Sequence, residues 1–286
     1  MEMEKYMTYK IVADSCCDLA ENSKIKDKVQ KVALTLIIED YETMDDETFD
    51  RKDFIRRVAE SKTCARSACP SPQAYMETYM GDEDAVYVIT LSSRLSGSYE
   101  SACVAKKMFE EEYPDSTKKI YVIDSKSASV GEANIAERIV EYAETVQDPD
   151  ELARMANEYR DNMNTFFVLE TLETLRKNGR LSNLQAFVAT VLNIKPVMGA
   201  DDGNIIKYEQ ARGIDKALKK MVGYIAEKTK NPENKILAIA HCNCRERALK
   251  LKEMILETIR FKDITIADTA GVSTLYANDG GIIVAV

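Results

Sequence analysis

The first half of the chain alternates short, continuously apolar runs with segments whose apolar residues recur at helical spacing. The runs are YKIVAD (9–14), KVALTLII (31–38), AVYVIT (85–90) and IYVID (120–124). Runs of this length and composition are typical of strands buried on both faces. Because strands that alternate with helices are joined by right-handed crossovers, the pattern predicts a doubly wound, mostly parallel α/β sheet.

A break in the helical pattern near Asp148-Pro149 predicts a domain boundary, because one helical segment ends there and another begins. We therefore expect one α/β domain at 1–148, which contains the loops DSCCDL and SSRLSGS. A second domain is expected at 149–286.

The second half of the chain alternates less regularly. KPVMGADDGNIIKYEQAR (195–212) has a turn signal at Asp202-Gly203 and predicts a β-hairpin. SNLQAFVATVLNI (182–194) is predicted to be helical. Because a hairpin introduces antiparallel pairing, the second α/β domain is predicted to have a mixed sheet.

Charge, hydropathy and cysteine usage restrict the partners and the compartment. A formal net charge of −9 argues against nucleic acid as a partner, since neutralising phosphates needs a basic face. The longest apolar runs, such as VALTLII, are far shorter than a membrane span, and MEMEKYMTYK lacks the apolar centre of a signal peptide. The seven cysteines are odd in number and lie mostly among apolar neighbours, as reduced thiols do. We expect a cytoplasmic protein without an integral membrane segment.

The segment ITLSSRLSGSYESA (89–102) places several hydroxyls where a predicted strand ends and a helix begins. Ser92, Ser93 and Ser96 precede Gly97 there. Ligands of open α/β sheets bind beyond the carboxyl ends of the strands, and a helix N-terminus attracts anions. An ordinary helix cap explains the same residues. The residues alone therefore leave an anion site and a cap as alternatives.

Catalytic and metal sites have weak support in the sequence. A serine hydrolase needs a base, and His241 is the only histidine; the pattern G-x-S-x-G is also missing around 92–98. The eleven glycines form neither G-x-G-x-x-G nor a P-loop. In HCNC, Cys242 and Cys244 lack the two-residue gap of zinc sites. We expect no catalytic residue and no metal, with a serine hydrolase as a remote alternative.

Two arginines lie next to predicted turns: one follows a turn that contains glycine, and the other ends a predicted hairpin. Arg180 comes directly after Asn178-Gly179 in ETLRKNGRLS, and Arg212 ends YEQAR. The planar guanidinium suits anion recognition. Surface salt bridges would explain both residues equally well.

Seven segments, in this order, resemble the DegV family of fatty-acid-binding proteins. They cover nearly the whole chain and are KIVADSCCDL, SACPSP (67–72), ITLSSRLSGSYESA, VIDSKSASVG (122–131), LETLRKNGRLS, IKPVMGADDG and AHCNCRERA. The resemblance implies a doubly wound α/β domain paired with a second α/β domain that has a mixed sheet. It also implies that one long-chain fatty acid lies with its tail in an apolar tunnel and its carboxylate near the domain interface.

The same resemblance implies which residues hold the carboxylate. By position, Ser67 and Ser93 match the hydroxyls that bind it, and groups around Ser92, Ser96 and Gly97 assist. Buried methylenes supply the affinity, whereas a buried carboxylate needs polar partners. The implied ligand is a fatty acid, with no cofactor.

Some members of the family present the bound fatty acid to a DAK-like, ATP-binding kinase subunit that makes an acyl phosphate. For that role, Arg180 and Arg212 match residues that face the phosphate or the partner. Many members carry H-x-G-P-G near the carboxylate, whereas this chain has YANDGG, with Tyr276 at the histidine position. Tyrosine donates a hydrogen bond but is a poor cation near neutral pH. This departure favours fatty acid binding over the role of a kinase subunit.

Overall fold

The structure, a computed structural model, describes residues 6–181 and 193–286. The strands of these residues are β1 (Tyr9–Asp14), β2 (Val29–Val32), β3 (Thr35–Ile38), β4 (Tyr41–Met44), β5 (Arg66–Ala68), β6 (Ala85–Thr90), β7 (Lys119–Asp124), β8 (Thr165–Val168), β9 (Ile194–Asp201), β10 (Asn204–Arg212), β11 (Ile236–His241), β12 (Asp263–Asp268) and β13 (Ile282–Ala285). The α-helices are α1 (Arg51–Glu60), α2 (Pro72–Tyr79), α3 (Ser98–Glu112), α4 (Val130–Ala143), α5 (Pro149–Asp161), α6 (Glu173–Lys177), α7 (Ile214–Lys228), α8 (Arg245–Leu256) and α9 (Gly271–Ala277). Residues 182–192 of the predicted helix lie outside the described residues.

Three helices begin at residues whose side chains cap free backbone N–H groups. Asp50, Ser71 and Asp148 accept hydrogen bonds from backbone N–H groups in the first turns of α1, α2 and α5. In α2 and α5 a proline follows the cap, where its missing N–H costs nothing. These local signals fix where the helices start.

A four-stranded parallel sheet in the order β2-β1-β6-β7 forms the first unit. One face packs against α2 and α3 through a cluster that includes Tyr75, Tyr79 and Phe109. The other face packs against α4 and α5. Helices on both faces confirm the predicted doubly wound sheet. The chain adds β2 on one side of β1 and β6 on the other, so the topological switch point lies between β1 and β6.

The run KVALTLII forms two strands in different sheets rather than one. Its first part belongs to β2 in the parallel sheet, and its second part is β3, in a separate antiparallel sheet of order β4-β3-β5. No pattern in the sequence predicted this three-stranded sheet. An apolar run alone does not show where a strand leaves one sheet for another.

A six-stranded mixed sheet of order β10-β9-β8-β13-β11-β12 forms the second unit, as predicted. Within it β11 and β12 run parallel, and the other neighbouring strands run antiparallel. The hairpin of β9 and β10 turns at Asp202-Gly203, and both residues have positive φ, of 45° and 78°. The Asp-Gly pair therefore confirms the turn prediction, because aspartate and glycine tolerate this backbone region.

Helix α4 lies between the two larger sheets. Its Val130 packs against the mixed sheet, whereas Ile135 and Ile139 pack against the parallel sheet. Helix α5 also packs on the parallel sheet, through Leu152 and Ala156. We therefore propose that the chain passes between the units after α5 rather than at the predicted 148/149 boundary.

Within the described ranges, the longest and most apolar helices still fall short of what a membrane span requires. All seven cysteines lie in these ranges as free thiols.

Candidate functional site

The loops that follow β1 and β6 meet at the switch point of the parallel sheet. Asp14, at the end of β1, accepts hydrogen bonds from the backbone N–H of Leu91 at 2.9 Å and of Cys16 at 3.1 Å. The Ser15 hydroxyl accepts one from the N–H of Leu34 at 3.0 Å. The DSCCDL segment thus binds neighbouring loops, and its contact with Leu91 holds the start of the loop that carries the serines.

A largely apolar cavity opens beside these loops, between the parallel and mixed sheets. Its empty space is about 830 Å³, open solvent at the mouth included. Pockets for small molecules typically span about 300–1,000 Å³. The described lining is mostly aliphatic or aromatic and includes Leu34, Leu91, Leu95, Phe167, Leu169, Leu175, Ile205, Val272 and Ile283. This lining suits a hydrocarbon chain.

The described lining also includes polar side chains, and four of them come from separate parts of the sequence: Ser67, Ser96, Arg180 and Tyr276. The Ser67 hydroxyl lies 3.1 Å from the Tyr276 phenol. The Arg180 guanidinium carbon lies 5.6 Å from the centre of the Tyr276 ring, and its Nε donates to the carbonyl of Leu95 at 3.1 Å. We call these four side chains the polar cluster. It offers hydroxyls and one cation to an anionic group.

The polar cluster adjoins the N-terminus of the 15-residue helix α3. Gly97 is the N-cap residue, and the Ser96 hydroxyl accepts a hydrogen bond from the N–H of Ser98 at 3.2 Å. A Cβ at Gly97 would lie 3.1 Å from the Cys69 sulfur, so a larger residue would crowd the SACPSP loop. The helix dipole adds a positive field beside Ser96.

The other predicted site residues lie elsewhere. Ser92 is buried and donates its hydroxyl to the carbonyl of Gly203 at 2.8 Å. Ser93 is exposed, and both its hydroxyl and its N–H donate to the Asp124 carboxylate. Arg212 is exposed at the end of β10. Ser67, Ser96, Gly97, Arg180 and Tyr276 therefore come together, whereas Ser92 and Ser93 hold the loop in place.

Two buried carboxylates that the sequence did not assign to a ligand site position the helix that carries Tyr276. Asp45 accepts from the N–H groups of Gly271 at 2.6 Å and Val272 at 2.9 Å, in the first turn of α9. Asp18 accepts from the N–H of Ala270 at 2.7 Å and from the hydroxyl of Ser129. No local motif indicates these contacts, because the partners lie more than 100 residues away in the chain.

Burial raises the pKa values of the carboxyls beneath the serine loop. It raises the pKa of Asp14 and of Asp18 to about 6 in each case, despite the hydrogen bonds that they accept. Burial, with the charge of Asp14 beside it, raises the pKa of Glu132 well above its usual range. Glu132 is fully buried, and this environment favours its protonated form.

The remaining chemical candidates do not form a catalytic pair. His241 is buried and lies 3.5 Å from Asp268, and burial lowers the pKa of its imidazole. Ser93, the candidate nucleophile, donates to Asp124 instead. Among the described residues, Asp14, Cys16 and Glu132 are close enough together to share a cation, whereas the cysteines of HCNC are not in such a group. Burial raises the pKa of the Cys16 thiol, which disfavours the thiolate that a metal needs.

Comparison with known proteins identifies relatives of this architecture. Residues 8–286 match the family described as "Uncharacterised protein, DegV family". A DegV domain-containing protein of Streptococcus pneumoniae is 32% identical over 287 residues, which cover 97% of this chain and 98% of that protein.

Two solved structures share the fold over nearly their whole length. A DegV family protein of Ruminococcus gnavus with vaccenic acid has a TM-score of 0.94 and 45% identity, covering 98% of this chain and 100% of that one. The Fatty Acid Kinase B3 protein of Streptococcus pneumoniae, loaded with linoleic acid, has a TM-score of 0.88 and 30% identity, covering 98% and 99%. Together with the family match over residues 8–286, these likenesses show that the chain belongs to the DegV family.

Proposed function

We propose that this protein binds one long-chain fatty acid, with the acyl chain in the apolar cavity and the carboxylate at the polar cluster. The observation that carries this proposal is the juxtaposition of a mostly aliphatic cavity with Ser67, Ser96, Arg180 and Tyr276 at its wall. The solved relatives with vaccenic and linoleic acid support the ligand class.

The cavity binds the acyl chain, and the polar cluster binds the carboxylate. Each methylene that leaves water contributes about 0.8 kcal/mol, so a long chain supplies most of the affinity. A carboxylate is costly to bury without partners. In our proposal the hydroxyls of Ser67 and Ser96 donate to it, assisted by backbone N–H groups at Gly97, while the Arg180 guanidinium and the α3 N-terminus stabilise its charge.

In our proposal Ser92 and Ser93 support the loop and do not contact the carboxylate. Their hydroxyls are already engaged with Gly203 and Asp124, and these bonds hold the loop that presents Ser96. The substitution Ser93→Ala distinguishes this role from direct contact of Ser93 with the carboxylate.

The direct test is to extract lipids from the purified protein and identify them by mass spectrometry, and then to titrate the delipidated protein with oleate. We expect a co-purified acyl chain and saturable binding of one oleate per chain. Recovery of no acyl chain, together with no binding of added oleate, would contradict the proposal.

A second proposed function is presentation of the fatty acid to a DAK-like, ATP-binding kinase subunit in the cytoplasm. It is favoured by the likeness to the Fatty Acid Kinase B3 protein. In this role the protein would be the lipid carrier and the partner would catalyse phosphorylation. Arg180, at the cavity, and Arg212, exposed on β10, are the residues that we assign to the phosphate and the partner.

The kinase role predicts that ATP is consumed when the protein, oleate and a cognate kinase subunit are mixed. The control omits oleate. Intact oleate binding without turnover in the presence of several cognate subunits would contradict the kinase role and leave fatty acid binding standing.

A further inference from the structure

A second, polar cavity adjoins the apolar one. It has an empty space of about 580 Å³, open solvent included, and we call it the polar chamber. Its described lining is Ser125, Lys126, Arg160, Asp161, Met163, Thr165, Ala200, Asp201, Asp202 and Gly203. Four of these described residues also border the apolar cavity: Lys126, Thr165, Ala200 and Gly203. Because these four line both spaces, we call them the dividing residues.

Three of the four dividing residues have small side chains, and the position of each is fixed by its strand or by a backbone hydrogen bond. Thr165 lies in β8, and Ala200 lies in β9. The carbonyl of Gly203 accepts the buried hydroxyl of Ser92. Lys126 is the long side chain among the four, so the size of the opening between the two spaces depends on it.

The side chain of Lys126 is held by ion pairs at its outer end. Its Nζ lies 2.8 Å from Asp202 and 3.1 Å from Asp161. Long lysine stems commonly cover apolar surface while the ammonium stays in a polar setting. Both carboxylates are at least half exposed, and such exposed ion pairs contribute little free energy. A substitution can therefore remove this side chain without disturbing the core.

We propose that Lys126 is a selectivity residue for the acyl chain, an inference that rests on the fatty acid binding proposed above. The stem closes the apolar cavity against the polar chamber. Away from the polar cluster, the hydroxyls of Ser127 and Thr165 in the cavity wall already bond each other at 2.7 Å, and that of Ser273 donates to the Cys16 carbonyl. A hydroxyl on the acyl chain then finds no free polar partner there, and the protein selects unsubstituted chains.

Shortening Lys126 joins the two spaces and gives such a hydroxyl access to the polar chamber. Three carboxylates line the chamber, Asp161, Asp201 and Asp202, against the two cations Lys126 and Arg160. This excess of negative charge disfavours a second carboxylate on the ligand. A neutral hydroxyl is therefore the substituent that the chamber would accept.

The test compares stearate with its 12-hydroxy and 18-hydroxy derivatives by calorimetric titration of the delipidated protein. Lys126→Ala and Lys126→Gly remove the stem, and the glycine variant suits the positive φ of 51° at this position. Lys126→Met keeps the stem and removes the charge. Lys119→Ala is the matched control, because Lys119 is an ion-paired lysine at the other end of β7.

We expect the wild-type protein to bind stearate at least about tenfold more tightly than either hydroxylated chain, since an unsatisfied buried hydroxyl costs roughly that much. In Lys126→Ala and Lys126→Gly this preference should fall below about threefold for at least one hydroxylated chain. Lys126→Met and Lys119→Ala should keep the wild-type preference. Thermal melting verifies that each variant is folded.

Three outcomes would overturn the inference while leaving fatty acid binding intact. They are an absence of preference in the wild-type protein, an unchanged preference in both shortened variants, and a loss of preference in Lys126→Met as large as in Lys126→Ala. Failure of the wild-type protein to bind stearate at all would instead reject the proposed function, and this inference with it.

Discussion

The Ser67 hydroxyl lies 3.1 Å from the Tyr276 phenol, although 209 residues separate the two in the chain. Ser67 belongs to β5 of the three-stranded sheet, and Tyr276 belongs to α9, the helix that follows β12 of the mixed sheet. Their contact joins two parts of the molecule at the wall of the apolar cavity. The proposed carboxylate site therefore exists only when both parts are folded together.

Removing either serine hydroxyl of the polar cluster should weaken fatty acid binding. In Ser67→Ala and Ser96→Ala the carboxylate loses a hydrogen bond to a charged group, which costs about 1.5–3 kcal/mol and raises Kd about ten- to hundredfold. Oleate titration measures the change. Ser116→Ala is the control, because Ser116 is an exposed loop residue whose hydroxyl accepts from Lys118. Wild-type affinity in both cluster variants would remove these serines from the site.

Ser93→Ala separates the two interpretations of the serine loop. If Ser93 bound the carboxylate directly, its loss would match that of Ser96→Ala. Because its hydroxyl donates to Asp124, we expect a change in Kd of less than about threefold, as for an exposed structural hydrogen bond. The same oleate titration measures this change in Kd. An effect as large as that of Ser96→Ala would assign Ser93 to the carboxylate.

Tyr276→His should restore the residue that many family members carry and leave fatty acid binding nearly unchanged. Imidazole can donate to Ser67 as the phenol can, and it can also carry a positive charge near neutral pH. With a cognate kinase subunit, ATP and oleate, we expect turnover to rise at least about threefold near pH 6, where the imidazole is largely charged.

Tyr276→Phe serves as the control for that substitution, because it keeps the ring beside Arg180 and loses the phenol. It should not raise turnover. An equal rise in the histidine and phenylalanine variants would show that a charge at this position is not the cause.

Ser92→Ala should destabilise the protein more than it weakens ligand binding. The substitution leaves the Gly203 carbonyl without its 2.8 Å donor, and an unsatisfied buried acceptor costs about 1–3 kcal/mol. The free energy of unfolding in urea measures the loss, and oleate affinity should change by less than about threefold. The opposite pattern, unchanged stability with lost affinity, would place Ser92 in the ligand site.

Asp18→Asn should change how stability depends on pH. Burial raises the Asp18 pKa from an ordinary value of 3.8 to about 6, so the folded state holds this proton more tightly than the unfolded state does. Its stabilising contribution is complete below pH 3.8 and is lost as the pH rises through about 6. The shift corresponds to about 3 kcal/mol. Asparagine does not titrate, so the variant should gain roughly that much relative to wild type between pH 4 and pH 8.

Urea unfolding at pH 4, 6 and 8 measures this difference. Asp46→Asn is the control, since Asp46 is exposed and the hydrogen bonds from Thr48 lower its pKa, which gives a pH dependence of the opposite sign. Parallel pH profiles for Asp18→Asn and the wild-type protein would show that Asp18 does not titrate in this range.

Much of the architecture followed from local patterns in the chain. Alternating apolar runs predicted the parallel sheet, and Asp202-Gly203 predicted the hairpin turn. Asp148 and Pro149 marked the start of α5. These features are local because strand burial, positive φ and helix capping depend on a few neighbouring residues.

The assignment of domains depended on packing instead. The start of α5 was predicted, and the predicted boundary at 148/149 assigned this helix to the second domain. In the structure Leu152 and Ala156 pack on the parallel sheet. The run KVALTLII likewise gave no local indication that β2 and β3 would enter different sheets.

The sequence by itself determined the family, the types of the two larger sheets and the loop that carries the serines. It did so because motif order and hydrophobic period are properties of the chain. Only the tertiary structure decided which hydroxyls face the cavity: it turned Ser93 to Asp124 and Ser92 to Gly203, and it brought Ser96 beside Ser67, Arg180 and Tyr276. Contacts between residues this far apart in the chain arise from the packing of two sheets and α9, and no local pattern encodes that packing.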